Sequence, residues 1–425
     1  MFPIGKGRPT DRPLLLSMDK PVEIVLTALS YGGEAIGRYA GRAVFVPFAL
    51  PGETVHVRIV DERKNFARAE LLDVTRPSPE RIAPRCRHFG VCGGCHYQHL
   101  SYPAQLRTKT EIVRDQLTRI GKIQSPPVQD AIAAPDEWHY RNHVQFHLDL
   151  QGKLGFIAAG QAESVLPVME CFLPQAAIGA LWPSLEFEAG SSVQRVSLRA
   201  GLNDDLMLVL ESDDIQIPEL EIETDISVVH LTEDDALVMA GEAHLVISVL
   251  DRPFKVSAAS FFQVNTGMAA KMVTYLLENL PVTPSSTLLD VYCGVGLFSA
   301  FFASRVARLI GIESAPSACE DFTVNLDQFD NVELYEGLAQ EILPGLETHV
   351  DAAIVDPPRA GLDKNALDAL LRLAPTTLAY VSCDPSTLAR DAARLLAGGY
   401  RLKQVTPFDL FPQTYHIESI SIFER

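Results

Sequence analysis

The sequence contains few cysteines, no long apolar run and no apolar segment at its start. Its seven cysteines are spread unevenly over 425 residues, which argues against a disulfide framework and indicates a reducing compartment. No run approaches the roughly 20 uncharged apolar residues of a membrane-spanning helix. The opening residues, MFPIGKGRPTDRP, lack the apolar core of a secretory signal peptide. We therefore expect a cytoplasmic protein with no membrane contact. As no obligate protein partner is evident from the sequence, we also expect a monomer.

Positive charge is also scarce, and it is concentrated at one end of the chain. The formal net charge of −18 argues, taken alone, against binding to nucleic acid. Residues 1–125, however, hold 19 lysines and arginines against 12 acidic residues, whereas the rest of the chain holds 17 against 42. A basic front on an acidic body predicts that one part alone binds a polyanion. Ordinary solvated surface charge is the alternative.

Length and hydrophobic periodicity predict three parts, so the fold class is α/β plus β. Short β-rich runs separated by turn signals predict a small OB-like β-barrel over residues 15–75. Strand patterns return in a central domain, residues 76–255, which also contains an amphipathic helix over 102–122 that is free to pack on another domain. From 256 to 425 strands alternate with helices, as in a doubly wound, Rossmann-like sheet.

The segment DVYCGVGLFSAFF predicts a nucleoside-binding turn at the end of a strand. The strand ends near Asp290, and Gly294 and Gly296 let the backbone approach a ligand closely. Glu313 ends the next strand, where its carboxylate is placed to accept hydrogen bonds from ribose hydroxyls. Ser299 stands in place of the third glycine of a dinucleotide fingerprint, which favours S-adenosylmethionine over a pyrophosphate-containing ligand. An ordinary glycine turn is the structural alternative.

Three closely spaced cysteines predict a metal or cluster site. The segment CRHFGVCGGCHYQH places three thiols within ten residues of a stretch that has no strand or helix periodicity. A fourth ligand is required, and the cysteine of PVMECFLP is the best candidate. Four thiolates suit zinc or an iron–sulfur cluster, and a Cys3His zinc site stays open through His96 or His99. The predicted ligands are Cys86, Cys92, Cys95 and Cys171.

Asp356 and Cys383 are predicted to face the same crevice as the glycine turn. AAIVDPPRAGLD ends one strand at Asp356, and AYVSCDPSTLARD ends the next at Cys383. In an open α/β sheet, ligands bind at the carboxyl ends of the strands. A helix that begins at Pro385 or Ser386 would direct its positive dipole end at Cys383 and favour the thiolate. The pattern therefore predicts a nucleophilic cysteine, with inert buried packing as the alternative.

Together these motifs resemble the RNA uracil-5-methyltransferases, in particular the subfamily that modifies 23S ribosomal RNA and carries an N-terminal TRAM barrel and a [4Fe-4S] cluster. The resemblance covers nearly the whole chain, including SFFQVNTGMAAKM and the closing segment GYRLKQVTPFDLFPQTYHIESISIFER. It implies methyl transfer from S-adenosyl-L-methionine to C5 of an RNA uridine through a covalent bond between cysteine and C6. The favoured substrate is 23S ribosomal RNA, and transfer RNA is the alternative.

The resemblance also implies roles for single residues. Cys383 matches the family nucleophile and Glu418 matches its general base. Alternation of Glu418 with Ile420 and Ile422 places it among apolar neighbours, where desolvation raises a carboxyl pKa. The four predicted cysteine ligands match those of the [4Fe-4S] cluster. The positions that match the cofactor and substrate crevice are Gln263, Tyr292, Glu313 and Asp356.

Three departures from the family pattern and three rival functions accompany this prediction. Leu297 and Ala339 stand where polar contacts to the cofactor are often found, and the negative charge of Asp384 opposes a thiolate at Cys383. An exocyclic-amine methyltransferase is the first rival, because DPPR is near the proline-rich motif of those enzymes. A dinucleotide-dependent oxidoreductase with an iron–sulfur centre and a non-catalytic RNA-binding protein are the other two.

Overall fold

The computed structural model describes residues 20–212, 225–233 and 235–425. These residues form two compact units, which meet in the sequence between Arg81 and Ile82. The first five residues of the predicted barrel, 15–19, lie outside the described part of the chain. No helix within the described ranges is long and apolar enough to cross a membrane.

The first unit is a closed five-stranded barrel, as predicted. Its strands pair in the order β1-β2-β3-β5-β4, and β4 closes the barrel onto β1. Alternation along β4 buries Val55, Val57 and Ile59 and turns the residues between them outward. The strands are β1 Val22–Leu29, β2 Ala35–Tyr39, β3 Arg42–Val46, β4 Thr54–Glu62 and β5 Phe66–Arg76.

The arginines of the barrel are largely paired with carboxylates. The ion pairs are Arg42–Glu62, Arg58–Glu70, Arg63–Asp61 and Arg68–Glu34. Residues 20–81 hold nine lysines and arginines against eight acidic residues, whereas residues 82–125 hold seven against two. The positive excess of the N-terminal part therefore lies after the barrel rather than on it.

The second unit begins with residues 82–101, which contain turns and isolated bridges but no helix or strand. Helix α1, Tyr102–Arg119, follows, with Pro103 in its first turn, where a missing N–H costs no helical hydrogen bond. The helix buries Ile112, Val113 and Leu117, whereas Ile120, just after its end, is 43 % exposed. Lys109 is also buried, and its Nζ donates to Asp409 Oδ1 at 2.5 Å.

A seven-stranded, mostly antiparallel sheet forms the middle of the chain, as the alternating patterns predict. Its order is β12-β11-β10-β9-β6-β7-β8. Among the neighbouring strands described in this sheet, only β10 and β11 are parallel to each other. Phe146 and Trp182 pack in its core with ring centroids 4.8 Å apart. The strands are β6 His143–Leu148, β7 Leu154–Ala158, β8 Gln161–Pro167, β9 Arg195–Ala200, β10 Leu206–Glu211, β11 Ser227–Leu231 and β12 Ala236–Ala240, with α2 Ala176–Leu181 and the hairpin β13 His244–Val249 and β14 Arg252–Ser257.

The C-terminal part is a doubly wound α/β sheet, which confirms the predicted fold class. Its order is β17-β16-β15-β18-β19-β21-β20, in which the first five strands are parallel and β21 is antiparallel to both neighbours. The strands are β15 Thr287–Val291, β16 Arg308–Glu313, β17 Val332–Glu336, β18 Ala352–Val355, β19 Thr377–Ser382, β20 Arg401–Phe408 and β21 Glu418–Glu424. The helices are α3 Thr266–Asn279, α4 Ser299–Phe302, α5 Pro316–Asn325, α6 Ala339–Ile342, α7 Lys364–Leu373 and α8 Pro385–Ala397.

This topology positions the candidate site. The parallel strands β15, β16, β18 and β19 all end at the same edge of the sheet. Because β21 is antiparallel to β19, its first residue lies at that edge too: Ser382 at the end of β19 pairs with Ser419. The residues that follow the parallel strands and the residue that begins β21 are therefore brought together.

Candidate active site

A cavity of about 1080 Å³ opens at this edge of the sheet. It brings together seven of the eight residues predicted to be catalytic or cofactor-binding, and Gly296 is the one outside its lining. Those seven come from the segment between β14 and α3, the glycine turn, the carboxyl ends of β16, β18 and β19, and the first residue of β21. They are Gln263, Tyr292, Gly294, Glu313, Asp356, Cys383 and Glu418.

The glycine turn after β15 needs glycine for two different reasons. Gly296 has φ +90, and a Cβ there would stand 2.4 Å from Leu326 Cδ1, so any side chain would displace the packing behind the turn. Gly294 has φ +54, and a Cβ there would meet no heavy atom within 4 Å among the described residues beyond its chain neighbours. Gly294 therefore leaves the cavity open to a ligand, while Gly296 lets the turn sit close to α5.

Two carboxyl groups border the turn, and they differ in their hydrogen bonds. Glu313 accepts from the backbone N–H groups of Gly294 at 2.9 Å and Ala315 at 2.8 Å, which fixes its carboxylate at the cavity. Asp290 is fully buried and accepts from Ser299 Oγ at 2.6 Å. Burial raises the pKa of Asp290 to about 6. Glu313 is thus the carboxylate that a ligand's hydroxyl groups can reach.

Cys383 stands between β19 and α8, as predicted, but its predicted ionisation is wrong. Its pKa is raised to about 12, first by burial and then by the negative charges of Glu418, Asp356 and Asp384. The helix start does not offset this, because the Asp384 side chain caps it by accepting from Ser386 N and Thr387 N. In this structure the thiol form of Cys383 is therefore favoured.

The other two acids near Cys383 are also perturbed toward their neutral forms. The pKa of Glu418 is raised well above its ordinary value by burial and by Asp356, and Arg359 opposes this. The pKa of Asp356 is raised to about 7 by burial and by Asp290 and Glu313. The site therefore holds, beside a thiol, the Asp356 carboxyl group, which can exchange a proton near neutral pH, and the Glu418 carboxyl group, whose neutral form burial favours.

The structure adds three cavity residues that the sequence analysis did not select. Phe261, two residues before Gln263, lines the cavity and is 70 % exposed. Arg359 supplies a positive charge that lowers the pKa of both Cys383 and Glu418. His416 Nδ1 lies 3.4 Å from Arg359 Nη2, and burial together with that cation lowers the pKa of His416 to about 3. The motifs that contain them, SFFQ, DPPR and HIE, were the available signals.

A second cavity, of about 280 Å³, is lined by all four predicted cysteine ligands. Burial, together with the neighbouring thiols, raises the pKa of Cys95 to about 12 and of Cys171 to about 11. Arg141 also lines this cavity; burial lowers its pKa, but Tyr140 and the cysteines together raise it overall. His416 lines both cavities, so they are neighbours.

The four thiols are not arranged around one mononuclear metal position. Within residues 20–212, 225–233 and 235–425, no group of three or more His, Cys, Asp or Glu side chains is placed to hold a single metal ion. Zinc would need its thiolates about 2.3 Å from one point. A cluster binds each cysteine through a different iron and so needs them around a larger space.

Comparison with known proteins gives the family. The model described as tRNA (Uracil-5-)-methyltransferase matches residues 221–425, and the TRAM domain model matches residues 20–72. An uncharacterized RNA methyltransferase of Aquifex aeolicus is 34 % identical over 96 % of this chain and 99 % of its own length. One of Halalkalibacterium halodurans is 32 % identical over 95 % of this chain and 96 % of its own length.

A solved structure has the same fold. It is the tRNA (uracil-54, C5)-methyltransferase of Pyrococcus abyssi in complex with S-adenosyl-L-homocysteine, at 24 % identity and a TM-score of 0.74, and the match covers 95 % of this chain and all of that one. Family model, relatives and fold agree with the motifs that meet in the large cavity. The chain belongs to the RNA uracil-5-methyltransferase family and carries an N-terminal TRAM domain.

Proposed function

We propose that the protein transfers a methyl group from S-adenosyl-L-methionine to C5 of a uridine in RNA, with Cys383 as nucleophile and Glu418 as general base. The observation that carries this is the meeting of a thiol and a buried carboxyl group, from two adjacent strands, in one cavity with the glycine turn. An exocyclic-amine methyltransferase has no use for that thiol, and neither has a protein that only binds RNA.

Uracil C5 is too weak a nucleophile to take a methyl group directly. In the proposed reaction the Cys383 thiol gives its proton to water, its thiolate bonds to C6, and the electrons of the C5–C6 double bond move into an enolate. C5 then forms a bond to the methyl carbon, and the donor sulfur keeps the electron pair of the broken bond. Arg359 assists the first step, because its charge favours the thiolate over the thiol.

Glu418 is proposed to complete the reaction by removing the proton from C5. The C–H electron pair restores the C5–C6 double bond, and the bond between sulfur and C6 breaks with its electrons returning to Cys383. A carboxyl group whose pKa is raised by burial is a stronger base than one in water. Asp356, between the glycine turn and Cys383, is proposed to hydrogen-bond a ligand of this cavity.

The methyl donor is proposed to lie over the glycine turn, with its ribose at Glu313. The fixed carboxylate, the open backbone at Gly294 and the ring of Tyr292 support this placement. The matching Pyrococcus structure, which contains S-adenosyl-L-homocysteine, supports the same cofactor. Leu297 and Ala339, which depart from the family pattern, are both buried. Their side chains therefore pack in the core and do not face the proposed donor site.

The RNA is proposed to present a flipped uridine, because a base within a stack cannot reach Cys383. Exposed Phe261 offers a face on which an unstacked base can lie. The exposed basic residues of segment 82–125, a set that leaves out the buried Lys109, are proposed to hold phosphates, and the barrel of the TRAM domain to add contacts through its outer face. The favoured substrate is 23S ribosomal RNA, on the resemblance of the sequence, with transfer RNA as second candidate because the Pyrococcus enzyme is named for it.

Incubation of the protein with S-adenosyl-L-methionine labelled in its methyl group tests this function. Transcripts of 23S ribosomal RNA domains and of transfer RNA are supplied separately, and the RNA is digested to nucleosides. We expect label in 5-methyluridine from the ribosomal transcript. Label in N-methylated adenosine, or none with either RNA, would contradict the proposal, and label from transfer RNA alone would reassign the substrate.

The cysteine-lined cavity is proposed to hold a [4Fe-4S] cluster, with Cys86, Cys92, Cys95 and Cys171 as its ligands. Such a cluster would give residues 82–101, which have no helix or strand of their own, a fixed structure. Gly93 has its backbone against Ile157, where a Cβ would stand 2.8 Å from the carbonyl oxygen, so the loop packs closely on β7. Arg141 would balance part of the negative charge of the thiolates.

Replacing Cys95 with serine should remove the iron from protein purified without oxygen. We expect on the order of four irons per chain and visible iron–sulfur absorption in the wild type, and loss of both in Cys95→Ser. The thermal midpoint of the variant should fall, because the segment loses its cross-link. Cys319→Ala, at a buried cysteine of α5, should keep the iron. Stoichiometric zinc in the wild type would contradict the cluster.

A further inference from the structure

The loop 409–417 joins β20 to β21 and delivers Glu418 to the catalytic cavity. Gln413 lies at its centre, is only 2 % exposed and has φ +68. A residue with a side chain seldom adopts this left-handed conformation unless its surroundings hold it there. The contacts of Gln413 therefore fix the path of the loop.

Gln413 is bonded through its backbone and its side chain. Its carbonyl oxygen accepts from His96 N at 2.9 Å and from Tyr97 N at 3.0 Å. Its side-chain oxygen accepts from Gln105 Nε2 at 3.0 Å, and its backbone N–H donates to Gln105 Oε1 at 3.0 Å. The two glutamines thus form a reciprocal pair, and both are buried.

All of these partners come from one region of the chain. His96 directly follows Cys95, a lining residue of the cysteine cavity, and Gln105 lies in the first turn of α1. The backbone carbonyl groups of the two residues before Gln413 also accept hydrogen bonds from side chains. Lys109 Nζ donates to Phe411 O, and Tyr140 Oη donates to Pro412 O, each at 3.0 Å.

The hydrogen bonds of Gln413 to His96, Tyr97 and Gln105, here called the anchor, are connected differently to the two proposed catalytic residues. Glu418 follows Gln413 by five residues, and between them His416 N donates to Thr414 Oγ1 at 3.2 Å. Cys383 follows β19, whose last residue, Ser382, pairs with Ser419 of β21, but the hydrogen bonds of Gln413 reach the loop that carries Glu418 and not β19 or α8. We therefore expect a change at Gln413 to alter the position of the base more than that of the nucleophile.

We propose that Gln413 is a positioning residue, through which the cysteine-bearing segment and α1 hold Glu418 where it removes the C5 proton. This inference rests on the proposed function. It requires that loss of the anchor slow proton removal and spare the bond formation between Cys383 and C6.

The variant Gln413→Asn tests this. Asparagine adopts the left-handed conformation readily but is one methylene too short to keep the pair with Gln105. We expect turnover on uridine RNA to fall about 100-fold, as for a small misplacement of a catalytic group. The covalent protein–RNA adduct should accumulate on ordinary uridine RNA in denaturing gels. The adduct with 5-fluorouridine RNA, whose release is blocked because C5 carries no proton, should form at the wild-type rate.

Two further variants complete the experiment. Gln105→Asn breaks the same pair from α1 without a left-handed residue and should reproduce the effect, even if Gln413→Asn folds poorly. Gln404→Asn, which loses bonds to Tyr275 and Asn279 at β20, should turn over normally. Normal turnover of both anchor variants, or loss of the 5-fluorouridine adduct in step with turnover, would overturn the positioning role alone. Absence of that adduct in the wild type would instead overturn the proposed function itself.

Discussion

Cys383→Ala should lose methyl transfer by a factor of about 10⁴ or more, which corresponds to roughly 5 kcal/mol of transition-state stabilisation. In the proposed mechanism no bond to C6 forms without the thiol, and C5 never becomes nucleophilic enough to attack the methyl group. The 5-fluorouridine adduct should be absent as well. Transfer of labelled methyl groups to RNA and denaturing gels with 5-fluorouridine RNA measure the two effects.

The matched control is Cys319→Ala, which removes another buried thiol of the same domain outside the lining of the catalytic cavity. Its activity should stay within about threefold of the wild type, because one small buried side chain is lost away from the reacting groups. Full activity of Cys383→Ala would end the covalent mechanism and favour an exocyclic-amine methyltransferase. Binding of S-adenosyl-L-methionine should be unchanged in Cys383→Ala, which separates lost chemistry from lost folding.

The placement of the site was predictable because it follows from topology. A run of βα units implies parallel strands, and parallel strands end at one edge of the sheet. Asp356, Cys383 and the glycine turn each follow an apolar run, so their meeting needed no knowledge of distances. Glu418 was found by its family match, since one carboxylate at a strand start is otherwise common.

The ionisation of Cys383 was not predictable from the same motif. The sequence shows a helix start, and a helix start favours a thiolate. It also shows the opposing charge of Asp384, but it does not show that Glu418 and Asp356 come near the thiol from two other strands. Distances between segments far apart in the chain decide which electrostatic effect is larger. The charge of the barrel surface could not be predicted for the same reason. Its arginines pair with carboxylates on other strands, and the sequence does not show that pairing.

Glu418→Gln should lower turnover about 10³-fold, within the usual contribution of a general base. Glutamine fills nearly the same space but cannot accept the C5 proton, so the reaction should stop after methyl transfer. A methylated protein–RNA adduct should then accumulate on ordinary uridine RNA, where the wild type shows little. Labelled methyl groups retained in the adduct band measure this directly.

The pH dependence of adduct formation gives a second, independent result. The Glu418 carboxylate is one cause of the raised pKa of Cys383, so removing its charge should lower that pKa. At a pH below the pKa, each unit by which the pKa falls increases the thiolate fraction about tenfold. Glu418→Gln should therefore form the 5-fluorouridine adduct at lower pH than the wild type, although it turns over far more slowly.

The control for this variant is Glu424→Gln, at the other end of β21, where the carboxylate pairs with Arg401 and Lys403 at the surface. It should leave both turnover and the pH profile of adduct formation unchanged, since surface ion pairs contribute little. If Glu418→Gln instead loses the adduct with both RNAs, Glu418 acts before the bond to C6 forms, for example by taking the proton of Cys383. The base that removes the C5 proton would then have to be another group of the cavity, and Asp356, with its pKa of about 7, would be the next to replace.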